Sequence, residues 1–139
     1  VVQVGNYVGF MLEAALQRGF ARVLLAGHPG KLLKLIRGDF ETHSSHSISA
    51  ASVVVEALRE YHSALLNEEL YKNLDTVEGF IQWLPRGTSE ELFGRLAEEV
   101  QLTVEEYVNR RMELGVILLS MDGIVIGESS GARPWRVNR

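Results

Sequence analysis

The segment that most constrains this chain runs from Val23 to Ile36, where an apolar, strand-like stretch changes abruptly into a glycine-flanked turn and a basic helix. This order is typical of α/β proteins, which bind ligands where a strand ends and a helix begins. A helix start presents backbone N–H groups without intrahelical partners, and lysines add positive charge. The segment therefore predicts a site for an anionic or electron-rich ligand, without specifying a reaction.

Composition narrows the class of protein. With 139 residues and 46% hydrophobic content, the chain can form one domain with a core of its own. The absence of cysteine excludes disulfides, thiolate metal sites and a cysteine nucleophile. No apolar run approaches the roughly 20 residues that span a bilayer, and no secretory leader is recognisable, so we expect a cytoplasmic protein without membrane association. The first residue is Val1 rather than methionine, which predicts a piece of a longer polypeptide.

Charge is unevenly distributed around a net value of −4. In the first forty residues basic side chains outnumber acidic ones, whereas in the middle of the chain acidic side chains outnumber basic ones. The basic residues in question are Arg18, Arg22, Lys31, Lys34 and Arg37. A local positive surface on an acidic protein suits a small polyanion better than a nucleic acid, which usually meets a basic domain with aromatic stacking residues.

Periodicity and turn signals predict the elements. Strands are expected over Val1–Val4 and Ala21–Ala26, and helices over Tyr7–Ala15, Lys31–Arg37, Ile48–Tyr61, Asn67–Asn73 and Thr76–Leu84. Capping boxes at Thr88 and Thr103 predict two further helices, separated near Leu102, the last one closed by Gly115. Asp122-Gly123 predicts a hairpin.

We therefore expect an α/β fold, with a mostly parallel sheet, helices packed on it, a helical insertion in the middle and an antiparallel C-terminal hairpin. The domain is expected to cover residues 1–128, and a loose polar tail residues 129–139.

Two further loops carry polar or glycine residues. Gly5-Asn6 follows the first predicted strand, so its loop is expected beside Gly27–Lys31 at one sheet edge. Thr42–Ser47 gathers hydroxyls and imidazoles that can bind a carboxylate, move a proton or ligate a metal, although no third metal ligand stands at a diagnostic spacing. Each loop also has a plain structural interpretation, as a tight turn or a helix cap. The Gly27–Lys31 turn lacks both the P-loop pattern and the dinucleotide glycine pattern.

Four stretches together resemble the CbiD family, the cobalt-precorrin-5B C1-methyltransferases of anaerobic cobalamin biosynthesis. They are Gly5-Asn6-Tyr7-Val8-Gly9, the run from Val23 to Leu35, Phe40-Glu-Thr-His-Ser44 and Leu119-Ser-Met-Asp-Gly123. Members of that family look longer, so the resemblance implies a C-terminal α/β domain preceded by an N-terminal domain. It also implies transfer of a methyl group from S-adenosylmethionine to C1 of a cobalt-containing, tetrapyrrole-derived ring.

The resemblance also implies roles for particular residues. Carboxylates on the rim of the substrate would bind Lys31 and Lys34, with Arg37 as a further candidate, and Thr42 and Ser44 would also contact the substrate. His43 is the first candidate for a catalytic base and His28 the second. Gly5, Asn6, Gly27 and Gly30 would bind the methyl donor through the backbone, or a substrate carboxylate. No metal site is expected, and the sequence leaves a homo-oligomer open.

Two other functions remain open from the sequence. The chain can instead be a non-catalytic α/β module that binds a nucleotide or phosphate at Gly27–Lys31. It can also serve assembly, with the acidic helices between Glu56 and Glu113 docking another subunit.

Overall fold

The structure, a computed structural model, describes residues 7–40, 49–67 and 75–135. The α-helices are α1 (Val8–Gln17), α2 (Pro29–Leu32), α3 (Ala50–Tyr61), α4 (Val77–Trp83) and α5 (Arg86–Tyr107). The strands are β1 (Arg22–Gly27), β2 (Glu113–Leu119) and β3 (Val125–Glu128). Short 3-10 helices cover Leu33–Arg37, Ser63–Leu65 and Ser130–Trp135.

The described strands form one mixed sheet in the order β1-β2-β3. β1 and β2 are parallel, in a register that opposes Arg22 to Glu113 and Gly27 to Leu118. β3 runs antiparallel to β2. The α/β prediction is confirmed, and so is the helical insertion, which separates β1 from β2. The expectation of a mostly parallel sheet holds only in part, because one of the two described strand pairs is antiparallel. The predicted strand Val1–Val4 lies outside the described residues.

Local signals indicated the turn between β2 and β3, the helix α1 and the strand β1. Gly123 has φ +79°, the left-handed conformation that a tight turn demands and that costs glycine least. Its N–H donates to the carbonyl of Ser120, which closes the turn between β2 and β3. The predicted strand Ala21–Ala26 is shifted by one residue, and the predicted basic helix begins as α2 and continues as a 3-10 helix.

The acidic segment contains one continuous helix of 22 residues, α5, so the two separate helices predicted there are wrong. Its buried side chains recur without interruption from one end to the other: Leu92, Phe93, Leu96, Ala97, Val100 and Val104. Leu102 falls on the exposed face, where an apolar residue looks like a break in the pattern. Thr103 caps nothing, because its hydroxyl donates to the carbonyl of Glu99 inside the helix. Gly115 belongs to β2 rather than to a helix end.

The segment after β3 is packed against the sheet, so the predicted loose tail is wrong for residues 129–135. The side chain of Ser129 is buried and accepts a hydrogen bond from the Val116 N–H at 2.8 Å. Glu98 of α5 accepts from both the N–H and the hydroxyl of Ser130. A Cβ built on Gly131 would lie 1.8 Å from the Leu114 carbonyl oxygen, so this 3-10 helix approaches β2 backbone to backbone. The boundaries of the domain stay a prediction.

The core lies between α5 and the sheet. α5 packs across both β2 and β3, and the side chains of Val116 and Leu118 on β2 are fully buried. α4 packs on α2 and α3, which places its first turn near the end of β1. The sheet is therefore held from one side by α5, while α2, α3 and α4 gather at the edge where β1 ends.

Candidate functional site

The parallel pairing of β1 and β2 defines one edge of the sheet as the candidate site. β1 ends at Gly27 and β2 at Leu119, and their register brings both carboxyl ends to the same edge. The turn containing His28 and the hairpin turn of residues 120–124 therefore leave the sheet side by side. Open α/β sheets bind ligands at this kind of edge.

His28 is built into the turn after β1 as the cap of α2. Its Nδ1 atom accepts a hydrogen bond from the Gly30 N–H at 2.9 Å. Its Nε2 atom lies 2.8 Å from Oε2 of Glu78 in the first turn of α4. The side chain is about one-quarter exposed, at 25%. Both ring nitrogens are thus engaged within the protein.

The first turn of α2 uses its own backbone donors, contrary to the expectation that they face a ligand. Gly30 N–H donates to the His28 ring, and the N–H groups of Lys31 and Leu32 both donate to the His28 carbonyl. Pro29 has no N–H to offer. An anion at this turn would therefore meet donors that already have acceptors.

The two predicted glycines of this turn, Gly27 and Gly30, have different surroundings. A Cβ on Gly30 would lie 2.9 Å from Nδ1 of His28, so the ring occupies the room that glycine provides. A Cβ on Gly27 would make an ordinary contact of 3.7 Å with Leu32. A ligand that approached Gly30 from the side where a Cβ would stand would meet the His28 ring. The donor-binding role of the two glycines stays a prediction.

Glu78 is a functional candidate that the sequence did not reveal. The hydrogen bond with His28 lowers the pKa of its carboxyl most, and the backbone of Met121 in the hairpin turn lowers it further, against an upward effect of burial. Thr76 caps α4 by accepting a hydrogen bond from the Gly79 N–H. This cap is the signal in the sequence that places Glu78 in the first turn of a helix. No local signal connects Glu78 with His28, fifty residues earlier.

The three cations that follow the turn have different surroundings. Lys31 is exposed, and no hydrogen bond or ion pair with a described residue is seen for it. Lys34 is half-buried and has an interaction partner. Arg37 forms an ion pair with Glu56 of α3. In a 3-10 helix residues three apart lie on one face, so Lys34 and Arg37 share a face. Lys31 differs from both, because it is exposed and no partner is seen for it among the described residues.

The structure brings together only part of the predicted site. Gly27 ends β1, and His28, Gly30, Lys31 and Lys34 follow it in consecutive turns. The other predicted residues, which are Gly5, Asn6, Thr42, His43 and Ser44, lie outside the described residues. Their convergence on this edge stays a prediction.

Two surface clefts lie away from the candidate edge. One, of about 470 Å³, opens where β1 and β2 begin, and its walls include Arg22, Arg110 and Trp135. The other, of about 270 Å³, lies between α3, α5 and the 3-10 helix after α2. In this cleft, partial burial of the Glu99 carboxyl raises its pKa, and the charge of Glu60 raises it further. Arg37 lowers it. The Glu99 residue as a whole is nevertheless exposed. The glutamates of this cleft disfavour an anionic ligand.

The described ranges, 7–40, 49–67 and 75–135, contain no cluster of three histidine, aspartate or glutamate side chains that could hold a metal ion. None of the helices seen in these ranges has the length and apolar character needed to cross a bilayer.

Comparison with known proteins identifies the family to which the chain belongs. The family described as "CbiD, C-terminal domain" matches residues 41–130. The chain belongs to the CbiD family. Its CbiD match includes Glu78, all of α5 and the hairpin, but begins after the Gly27–Lys31 turn.

Named relatives of this CbiD chain extend the match to nearly its whole length. A cobalt-precorrin-5B C(1)-methyltransferase of Klebsiella pneumoniae is 32% identical over 132 residues, which cover 93% of this chain and 35% of the relative. Proteins of the same name from Syntrophotalea carbinolica and a Thermoanaerobacter species are 32% and 28% identical over 136 and 137 residues. This CbiD chain spans about a third of the length of such relatives. No solved structure is significantly similar to it.

Proposed function

We propose that this chain is the C-terminal domain of an S-adenosylmethionine-dependent C-methyltransferase that methylates C1 of cobalt-precorrin-5B in anaerobic cobalamin biosynthesis. The observation that carries the proposal is the similarity over 93% or more of the chain to proteins named for that reaction. The chain covers about a third of their length, so activity requires the remaining part, which we propose to be an N-terminal domain. We place the enzyme in the cytoplasm, and we leave a homo-oligomer open.

The proposed substrate is a corrinoid precursor with acetate and propionate carboxylates on its rim. Lys31 stands exposed at the carboxyl edge of the sheet and can donate charge-assisted hydrogen bonds to such a carboxylate. Lys34 lies one 3-10 turn further on, and Thr42 and Ser44 complete the proposed substrate-binding set. We propose no role in substrate binding for Arg37, because Glu56 already neutralises it.

The proposed base is His43, with His28 in second place. The base takes any proton that the ring loses when the new carbon–carbon bond forms. The preference for His43 is supported by the geometry of His28, whose Nδ1 accepts from Gly30 and whose Nε2 is bound to Glu78. His28 could take a proton only by giving up the Gly30 hydrogen bond.

S-adenosylmethionine would supply the methyl group from its sulfonium. The methyl transfer is an in-line displacement, which needs alignment and exclusion of water more than acid–base chemistry. Gly5 and Asn6 are the proposed residues of this chain for the donor. Gly27 and Gly30 are also proposed for the donor. At Gly30, a donor on the side where a Cβ would stand would have to displace the His28 ring.

A non-catalytic module that binds a nucleotide or phosphate at Gly27–Lys31 is the alternative. It is disfavoured by the same hydrogen bonds, because the amides of Gly30, Lys31 and Leu32 already have acceptors in the turn.

The test is an anaerobic assay of the full-length protein with isotopically labelled S-adenosylmethionine and cobalt-precorrin-5B. We expect the label in a product heavier by one methyl group, and calorimetric binding of the demethylated donor. Labelled product absent while a nucleotide binds tightly would replace this proposal with the alternative. A preparation without substrate serves as the control for uncoupled breakdown of the donor.

A further inference from the structure

The side chain of Glu78, in the first turn of α4, contacts the turn after β1 at the candidate edge of the sheet. Its Oε2 lies 2.8 Å from Nε2 of His28, in the turn after β1. The backbone of Met121, in the turn after β2, also lowers the pKa of this carboxyl. Glu78 is fifty residues from His28 in the chain, so the contact joins parts of the molecule that the sequence does not bring together.

The hydrogen bonds fix where the proton of the His28 ring lies. Nδ1 accepts from the Gly30 N–H, so Nδ1 carries a lone pair and no hydrogen. The proton of the neutral ring is therefore on Nε2, where it is donated to the Glu78 carboxylate. The other tautomer would set an N–H against the Gly30 N–H and leave Glu78 facing a lone pair. The carboxylate selects the tautomer in the way that a second-layer carboxylate orients a histidine in other sites.

This contact differs from an ordinary surface ion pair. The side chains of His28 and Glu78 are 25% and 27% exposed, whereas exposed pairs such as Arg86–Glu90 keep 94% and 64% of their side chains in solvent. Pairs of the exposed kind contribute little to geometry or stability. The His28–Glu78 bond is partly shielded from water and continues through Nδ1 into the backbone of α2, so it transmits the position of α4 to the loop that carries Lys31.

We infer that Glu78 is a positioning residue: it holds His28 in the Nε2–H form as the cap of α2 and thereby fixes the position of the Lys31 turn relative to α4. His28 then supports the site rather than acting as its base. The functional part of this inference rests on the proposed function, but the tautomer does not. Its test can therefore fail or succeed independently of methyl transfer.

The direct test is long-range ¹H–¹⁵N NMR of the histidine rings in the ¹⁵N-labelled chain at neutral pH. The chain has four histidines, and the His28 signals are assigned as those missing from His28→Gln. We expect the pattern of an Nε2–H tautomer for His28. Glu78→Ala should convert it to the averaged pattern of a ring exchanging between tautomers, and Glu78→Gln, which keeps an acceptor oxygen, should restore most of the Nε2–H form.

A matched control comes from a second histidine–glutamate pair. Nε2 of His62 lies 3.7 Å from Oε1 of Glu91, beyond hydrogen-bond range. Glu91→Ala should therefore leave the His28 signals unchanged. An Nδ1–H tautomer in the unsubstituted chain would overturn the inference without any variant, and so would a His28 pattern that Glu78→Ala leaves as it was.

The second test uses steady-state kinetics of the full-length protein. A displaced Lys31 turn weakens substrate binding, so Glu78→Ala should raise the KM for the corrinoid on the order of tenfold, with a smaller change in kcat. Glu78→Gln should fall between, and Glu91→Ala should match the unsubstituted enzyme. A loss confined to kcat would contradict positioning and assign Glu78 to the chemistry. If the unsubstituted protein transfers no methyl group, the proposed function fails and the NMR result alone decides the inference.

Discussion

Lys31 and His28 stand three residues apart and do different things at the edge of the sheet. Lys31 is exposed, so its ammonium group can bind a carboxylate from solution. His28 is tied at both ring nitrogens, to Gly30 and to Glu78. A single turn thus separates a side chain available to a ligand from one that keeps the turn in shape.

The lowered pKa of Glu78 predicts how stability depends on pH. Because the pKa lies below the ordinary value of 4.5, the ionised carboxylate favours the folded state. Its contribution is complete above that ordinary value and is lost as the pH falls through the lowered pKa. His28 is the titratable group that faces Glu78 within the described residues.

We therefore expect Glu78→Gln to be less stable than the unsubstituted chain near about pH 7, by about 1 kcal/mol, and the difference to shrink as the pH falls below the ordinary value of 4.5 and through the lowered pKa. Urea unfolding at a series of pH values measures it. A difference that stays constant with pH would show that the charge of Glu78 contributes nothing.

At the scale of the elements, two threonines have the same following residues, Val and Glu, but different roles in α4 and α5. Thr76 accepts from the Gly79 N–H and caps α4. Thr103 lies within α5 and donates to the Glu99 carbonyl. Thr76→Ala should cost about 1 kcal/mol of unfolding free energy, the usual effect of losing a cap, whereas Thr103→Ala should be neutral or slightly stabilising. Chemical denaturation of the two variants side by side would contradict the single long helix if Thr103→Ala lost as much as Thr76→Ala.

The contact between α5 and β3 is close enough to require a glycine. A Cβ on Gly127 would lie 2.5 Å from the backbone of Phe93, which cannot move as a flexible side chain can. Gly127→Ala should therefore destabilise the chain by about 1–3 kcal/mol. Gly94 is the matched control, because its Cβ would meet nothing within 4 Å and alanine favours the helix interior.

Gly94→Ala is expected to raise the free energy of unfolding by up to about 1 kcal/mol, opposite in sign to Gly127→Ala. Thermal melts of both variants measure the contrast. Equal effects at the two glycines would mean that α5 does not cross β3 where the structure places it.

Elements with a local signal were predictable, and elements decided by packing were not. The hairpin at Asp122-Gly123 and the strand before Gly27 follow from turn chemistry and an apolar run, and both are confirmed. The unity of α5 depends on the buried row from Leu92 to Val104, which overrides a capping motif. The packing of Ser129 depends on the Val116 N–H of a neighbouring strand. The periodicity of the sequence does not indicate which distant residues α5 and Ser129 will contact.

The whole molecule offers two opposite ends of the same parallel strand pair. The carboxyl end carries His28, Glu78 and the hairpin turn, and the amino end carries the cleft of about 470 Å³ beside Trp135. The sequence predicted a site at the first of these ends, from the glycine turn and its lysines. It did not reveal that the turn's own amides are occupied or that Glu78 completes it, since both facts arise from the folding of distant segments. Membership of the CbiD family gives this edge a proposed substrate.

Matched charge reversals at the two ends test the central claim, that substrate is bound at the carboxyl edge. Lys31→Glu alters the exposed cation of the candidate site, and Arg110→Glu alters an exposed cation of the opposite cleft. The measurement is the KM for cobalt-precorrin-5B in the full-length protein under anaerobic conditions, with circular dichroism to verify folding.

We predict that Lys31→Glu raises the KM for the corrinoid by about tenfold or more, as expected for one charge-assisted contact replaced by repulsion, while Arg110→Glu leaves it unchanged. The reverse result, a raised KM for Arg110→Glu and an unaffected Lys31→Glu, would contradict the account and move the substrate to the other end of the sheet.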